Sequence, residues 1–350
     1  ARLHYGSVSI KDGYIDRVDM ADAAPHDGAK LLLPGCIDTH THAMLQSEYF
    51  AEDEAASAAA RRALAQNGTT AFLFATMAMD EESLALRCRA AARAAKQRPA
   101  GESRCLGVYL EGPFLSYEKR GAHNPKFLHL PDGEMLRRLD DAAEGCIRAV
   151  CMAPELDGAV EFIREASKVC AVSLGHTTAD YATAMAGFEA GATQVTHLFN
   201  AMQPLHHREP GLIGAALMAG AEVELICDGL HIHPAVINAV YRMFGKKMII
   251  ISDSLRCAGL CDGNYDLAGQ PIVVKNGRAT LLDGTLAGSS SNLLQELKNV
   301  VSYGIPLEDA VYAMTVAPAK AINSFGEIGS LEVGKCADML LLDEERNLKA

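Results

Sequence analysis

Two kinds of segment alternate along most of the chain. Short apolar runs rich in β-branched residues recur: CIDTH ending at His40, TTAFLFAT at Thr76, CLGVYLE at Glu111 and CIRAVCMAPE near Glu155. They continue with VCAVSLGH ending at His176, TQVTHLFN at Asn200, VELICDG near Asp228 and KMIIISD at Asp253. Between them lie alanine-rich, charged segments with helical periodicity, such as Glu52 to Gln66, Glu81 to Gln97, Ala179 to Ala190 and Pro234 to Phe244. The first kind predicts strands and the second helices. Gly68 and Gly191 follow two of the helical segments, where a helix ends. Eight strand–helix units predict an α/β fold, a (β/α)8 TIM-type barrel, a fold of typically ~250 residues. The ends read differently. SVSIKDGYIDRVD predicts two strands around an Asp-Gly turn, and IGSLEVGKCADMLLLD predicts further strands. Together they predict a small β-sandwich domain from residues 1–33 and 326–350, beside a barrel spanning 34–325. Helices over Asn292 to Tyr303 and Pro306 to Asn323 would link the two.

The polar residues interrupting this pattern carry the chemistry. Glu111, His176, His197 and Asp253 all fall at or near the C-terminal end of a predicted strand, the face on which such barrels build active sites. A divalent metal such as zinc needs three or four imidazole, carboxylate or thiolate ligands converging on one point. Glu111, His176 and His197 supply such a set. His40 and His42 lie two apart at the end of the first strand and so face one side. Asp253, on the eighth strand, becomes their neighbour when the barrel closes. A second metal there is chemically reasonable, with Glu111 as a bridge; the alternative is that the pair only hydrogen-bonds water or substrate. Asp253 is the candidate general base, or a ligand alone. His123, in RGAHNP, either polarises a substrate carbonyl or pins its own loop. Asn200, the Ala201 amide and Arg208 after the sixth strand, and His231 after the seventh, offer donors to a phosphate, or form solvated loops. No Walker-type glycine loop is present.

Composition narrows the partners. The 350 residues carry a net charge of −12, which argues against a nucleic-acid partner that needs a basic face but leaves room for a small anion. The apolar runs are too short to span a bilayer, and no opening segment reads as a signal peptide. The ten cysteines are scattered, several inside apolar runs, and read as reduced core thiols of a cytoplasmic protein.

The segments PGCIDTHTHA, YLEGPFLSYEKRGAHNP, LGHTTADY, THLFNAM with REPGLIGAAL, ICDGLHIHP, IISDS, LAGS and GSLEVGKCADMLLLD run in order through the chain. Together they resemble the amidohydrolase superfamily and, within it, the N-acetylglucosamine-6-phosphate deacetylase family. EGPF followed by GAHNP is the most specific match. Many superfamily members bridge two metals with a carbamylated lysine after the fourth strand; here that strand ends in MAPE, and Glu111 takes the bridging position. The resemblance implies hydrolysis of an N-acetylhexosamine 6-phosphate to the free amine and acetate. Glu111, His176 and His197 would be the principal ligands, His40 and His42 with Asp253 a second site, and Asp253 the acid/base. It implies a divalent metal, one or two ions per subunit, zinc foremost, with iron or another divalent ion as alternatives. Ala122 and His123 would contact the acetamido group, and His123 would polarise its carbonyl. Asn200, Ala201, Arg208 and His231 would contact sugar and phosphate. Leu286, Ala287 and Gly288 would form a backbone wall. A homodimer or homotetramer is implied, with Arg208 reaching across from the partner subunit. Rival readings are the N-acetylgalactosamine 6-phosphate substrate, another amidohydrolase activity, and an inactive scaffold. The sequence departs from the family at Ala43, where glycine is usual, and in a short segment before Pro34.

Overall fold

The computed structural model describes residues 3–22, 30–49, 53–97, 99–267, 269–343 and 345–349. Eight strands lie side by side in chain order: β1 (Cys36–Thr41), β2 (Thr69–Ala75), β3 (Arg104–Glu111), β4 (Ile147–Met152), β5 (Ala171–Leu174), β6 (Gln194–Val195), β7 (Glu222–Ile226) and β8 (Met248–Ile251). Every ladder between them is parallel. Each strand is followed by a helix: α1 (Glu54–Gln66), α2 (Glu81–Ala95), α3 (Gly133–Ala142), α4 (Ala159–Ala166), α5 (Tyr181–Ala190), α6 (Gly211–Ala219), α7 (Pro234–Phe244) and α8 (Leu293–Ser302). Asp53, Asp80, Asp132 and Asp180 accept backbone N–H groups at the starts of α1, α2, α3 and α5, satisfying donors that a helix start leaves free. The expected (β/α)8 barrel is thus present.

The strands are buried on both faces, which is why they read as continuous apolar runs. Val223 and Leu225 face the helical layer, whereas Ile226, Ile249 and Ile251 point inward. Two further helices, α9 (Leu307–Met314) and α10 (Val316–Ala321), follow α8. Ala317, Ala319 and Ile322 pack against the inward residues and close the barrel floor. The single helix expected from Pro306 to Asn323 is instead two, broken at Thr315. Pro318 has no N–H to donate to the Met314 carbonyl and its ring crowds that position, so the first helix stops there.

The barrel closes between β1 and β8 without a continuous ladder. Hydrogen bonds hold the seam instead. The Asp253 N–H donates to the His40 carbonyl at 2.9 Å. The Ser252 N–H and hydroxyl both donate to the buried Asp38 carboxylate, at 3.2 and 2.5 Å. The His42 N–H donates to the Ser254 carbonyl at 3.0 Å. Burial raises the Asp38 carboxyl to about 7, against the opposing pull of the Ser252 donors.

Both chain ends contribute to extra sheets. Tyr5–Lys11 pairs antiparallel with Tyr14–Ala21, and Leu31–Pro34 pairs with Met339–Leu342. A bridge from Tyr14 to Cys336 connects the N- and C-terminal segments, forming the small β-domain. One element had no counterpart in the sequence reading. After β8, residues Gly263–Leu267, Gln270–Lys275 and Arg278–Leu281 form an antiparallel sheet over the barrel mouth. Its second turn, Asn276–Gly277, has positive φ at both residues, 52° and 73°, and Asn-Gly is the strongest short hairpin signal. No helix among the described residues is long and apolar enough to cross a membrane.

Candidate active site at the barrel mouth

His176, His197 and Asp253 share one backbone feature. Each stands two residues beyond the end of its strand (Leu174, Val195 and Ile251). Each has a left-handed backbone, with φ of 48°, 28° and 48°. Non-glycine residues rarely adopt such angles, and where they do, the surrounding structure imposes them. The turn swings each side chain off the strand and over the mouth. There they meet Glu111, at the end of β3, and His40 and His42 of β1.

Glu111 is the centre of the cluster and is buried. Its Oε1 lies 3.2 Å from His176 Nε2, 3.1 Å from His197 Nε2 and 3.3 Å from His40 Nε2. Its Oε2 lies 3.3 Å from His42 Nε2 and 3.3 Å from His123 Nε2. Asp253 Oδ1 is 3.1 Å from His42 Nε2 and 3.7 Å from His40 Nε2. The sequence-predicted ligands therefore all converge.

The outer ring nitrogens decide what the inner ones can do. His176 Nδ1 faces the Lys119 carbonyl at 2.7 Å, and His42 Nδ1 faces the Ala75 carbonyl at 3.0 Å. A carbonyl only accepts, so both Nδ1 atoms carry hydrogen. Burial and the nearby His197 hold His176 uncharged, with its pKa down to about 4 in spite of Glu111. Its Nε2 is therefore a bare lone pair, 3.0 Å from His197 Nε2 and facing a carboxylate. His40 Nε2 is buried with no hydrogen-bond partner. At His42, burial opposes charging, but hydrogen bonds to Asp253 and Glu111 push the pKa up to about 9. Asp253 itself stays below the usual carboxylate range: burial works against this, and the His42 hydrogen bond and the nearby His40 outweigh it. At His176 a lone pair faces the Glu111 carboxylate, and at His42 the two carboxylates hold a proton whose place a cation can take; two carboxylates with four imidazoles form a donor set that suits a divalent transition metal.

His123 differs. Its Nδ1 accepts from the Ala78 N–H at 3.0 Å, so a neutral ring carries its hydrogen on Nε2. The ligand atoms of Glu111, His123 and His176 lie as close together as those of His40, His42 and Glu111. A protonated nitrogen does not ligate, whereas His197 Nε2 lies 3.1 Å from Glu111 Oε1 and 3.0 Å from His176 Nε2. His123 instead presents a donor to the mouth.

A cavity of about 380 Å³ opens over the cluster. Ala122, His123, Asn200, Ala201, Leu286, Ala287 and Gly288 all line it, as the sequence reading expected of a substrate pocket. Arg208 and His231 are not among its lining residues. Arg208 is exposed, with its guanidinium on the His207 ring at 2.7 Å. His231 uses both ring nitrogens within the chain, Nδ1 to Asp228 Oδ2 at 2.7 Å and Nε2 to the Ala287 carbonyl at 2.8 Å. Sequence reasoning passed over Lys119 and Arg120, the two cations lining the cavity, and the apolar wall of Met77, Leu255 and Leu267. Leu267 belongs to the unforeseen sheet, which Gln270 ties to the Ala122 carbonyl at 2.5 Å. Gly288 packs hard on Asp253: a Cβ there would lie 2.5 Å from the Asp253 carbonyl oxygen and 3.0 Å from Oδ1. Gly288→Ala must therefore displace Asp253 at a strain of about 1–3 kcal/mol. The expected result is a folded protein whose kcat is reduced roughly tenfold or more, and an unchanged kcat would show that Asp253 tolerates the shift.

A (β/α)8 barrel with imidazoles and carboxylates gathered at its C-terminal mouth is the architecture that metal-dependent hydrolases use. The chain belongs to the amidohydrolase family, whose profile matches residues 31–350. It is 35% identical to an N-acetylglucosamine-6-phosphate deacetylase from Bacillus subtilis (strain 168), over 97% of this chain and 89% of that one. It is 32% identical to an N-acetylgalactosamine-6-phosphate deacetylase from Escherichia coli O157:H7, over 95% and 89%. Among solved structures, it is similar to a mutant N-acetyl-D-glucosamine-6-phosphate deacetylase from Mycobacterium smegmatis in complex with N-acetyl-D-glucosamine-6-phosphate. That match has a TM-score of 0.90 and 32% identity, and covers 98% of this chain and 92% of that one.

Proposed function

We propose that this protein hydrolyses N-acetylglucosamine 6-phosphate to glucosamine 6-phosphate and acetate. The observation that carries the reading is the division of labour at the mouth: the His40, His42, His176 and His197 nitrogens converge on the Glu111 carboxylate, whereas His123, its Nδ1 taken by the Ala78 N–H, turns an N–H toward the cavity. Glu111, His176 and His197 would hold a principal divalent ion, and His40, His42 and Asp253, with Glu111 shared, a second. Zinc is the ion that this nitrogen and oxygen set suits first. When bound, such an ion acidifies water and draws electrons from a carbonyl oxygen. The protein's own groups do the rest. His123 Nε2–H donates to the acetyl oxygen as negative charge develops on it. Asp253 accepts a proton from the attacking water and then delivers it to the departing amine nitrogen. Ala122 and the 286–288 wall hold the acetamido group between them, and Asn200 and Ala201 hold the sugar.

Arg208 lies outside the cavity of its own chain, and we assign it to the phosphate across the interface of a homodimer or homotetramer, with His231 steadying the sugar side. Arg208→Ala would remove a charge-assisted contact of about 1.5–3 kcal/mol. KM should rise roughly 10- to 100-fold for the phosphorylated sugar and stay nearly constant for N-acetylglucosamine. An equal effect on both substrates would reject Arg208 as the phosphate anchor.

Metal content tests the two-ion arrangement. Native protein is expected to carry two ions per subunit, and a His40→Ala, His42→Ala double variant one; one in both would refute the second site. The similarity to an N-acetylgalactosamine-6-phosphate deacetylase favours N-acetylgalactosamine 6-phosphate as a second reading, since the two sugars differ only at the C4 hydroxyl. Acetate release from both 6-phosphates and their unphosphorylated forms, on metal-analysed enzyme, decides between them. The ten free cysteines, most of them buried, fit a reducing compartment, and we propose a cytoplasmic enzyme.

A further inference from the structure

Glu224 sits on β7, inside the barrel, 1% exposed. Burying a carboxylate is costly unless donors surround it. Three do. His40 Nδ1 lies 3.1 Å from Oε2, the Tyr109 hydroxyl 3.3 Å from Oε2 and the Thr39 hydroxyl 3.4 Å from Oε1. The Tyr109 ring also lies against the His40 ring, with centroids 4.5 Å apart. A carboxylate accepts, so His40 Nδ1 donates, and the lone pair of its Nε2 is turned toward Glu111 and Asp253. The orienting partners of the other rings are different. His42 and His176 are fixed by the neutral main-chain carbonyls of Ala75 and Lys119. Among the described residues, His197 Nδ1 has no hydrogen-bond partner. Of these four rings, only His40 is held from behind by a charged group among the described residues. A carboxylate in that place fixes both the tautomer and the orientation of an imidazole and makes its free nitrogen a stronger electron donor.

We propose that Glu224 is a positioning residue that selectively strengthens the second metal site, the one built from His40, His42 and Asp253. The inference rests on the two-ion reading above. It makes the two sites unequal in origin: one is set by Glu111 with its two strand-end imidazoles, the other depends on a carboxylate one layer deeper in the barrel.

The test is metal retention by E224Q holoenzyme, dialysed against graded concentrations of a chelator and analysed for zinc per subunit. Gln keeps the size and one acceptor oxygen but loses the charge. E224Q should lose its first ion at roughly 10- to 100-fold lower free chelator than the wild type, and its second ion at the same concentration as the wild type. Ile226→Val trims an inward side chain of the same strand and keeps Glu224 with its three donors, so it should retain both ions, which separates the charge from a general loosening of the interior. Two ions held equally well by E224Q and wild type would overturn the proposal and leave the two-ion reading standing. One ion in the wild type would overturn both. Nitrogen-15 chemical shifts of the imidazoles in wild-type holoenzyme give a measurement independent of the variant's folding: His40 should be the Nδ1–H tautomer, and Nε2–H would overturn the role of Glu224.

Discussion

Asp253→Asn is expected to leave a folded protein that still binds its substrate but turns it over about 1,000-fold more slowly, mid-range for loss of a general acid–base group. The change is structurally mild. Asp253 has a left-handed backbone with φ of 48°, and asparagine is among the residues that accept this conformation most readily. Its backbone N–H to His40 and its carbonyl to Ser289 are unaffected. What is lost is the oxygen proposed to take up and return a proton. Because Asp253 Oδ1 also lies 3.1 Å from His42 Nε2, metal content must be measured in the same samples. A near wild-type kcat in the metal-replete variant would sink the acid–base role.

Glu111→Gln should have a broader effect. Both carboxylate oxygens are engaged, Oε1 with His40, His176 and His197 and Oε2 with His42 and His123. An amide cannot serve both sides, since its nitrogen has no lone pair to offer a cation. Loss of a partner behind a ligand already weakens metal binding by 10–100-fold, so loss of the shared ligand should exceed about 100-fold at both sites. The purified variant should carry almost no metal and show no measurable acetate release. Retention of one ion with substantial activity would show that Glu111 is not shared. The contrast with the His40/His42 double variant, which is expected to lose one ion only, distinguishes a bridge from an ordinary ligand.

The barrel was legible because its strands are buried on both faces, so that runs such as KMIIISD stand out between amphipathic helices. The candidate ligands were legible for a related reason. A histidine or carboxylate at the end of an apolar run has no packing role to explain it. Other features were hidden for identifiable physical reasons. The left-handed turns at His176, His197 and Asp253 are imposed by tertiary structure on residues with no such preference. The sheet over residues 263–281 follows the eighth strand, where the barrel pattern is already complete, although VVKNGRATLL carries its own turn signal. Glu224 sits in VELI as a carboxylate at an inward position of an otherwise apolar strand, and only its alignment with His40 across the barrel gives it a meaning. Pro318 breaks the segment from Pro306 to Asn323 by a rule local to the residue, which the single helix predicted there leaves out. The positions of Arg208 and His231 outside the cavity depend on how the loops after the sixth and seventh strands fold, which local pattern does not encode.

The seam between β1 and β8 has a consequence for when the enzyme can exist at all. Asp38 and Ser252 meet across 214 residues of sequence, and the same seam brings His40 and His42 to Asp253. During synthesis the first strand leaves the ribosome long before its eventual neighbour. A nascent chain can therefore stack most of its strand–helix units while its first edge stays unmatched. The hydrolytic centre then assembles only after the eighth strand has joined the first, and no truncated translation product that ends before the eighth strand can be an active enzyme.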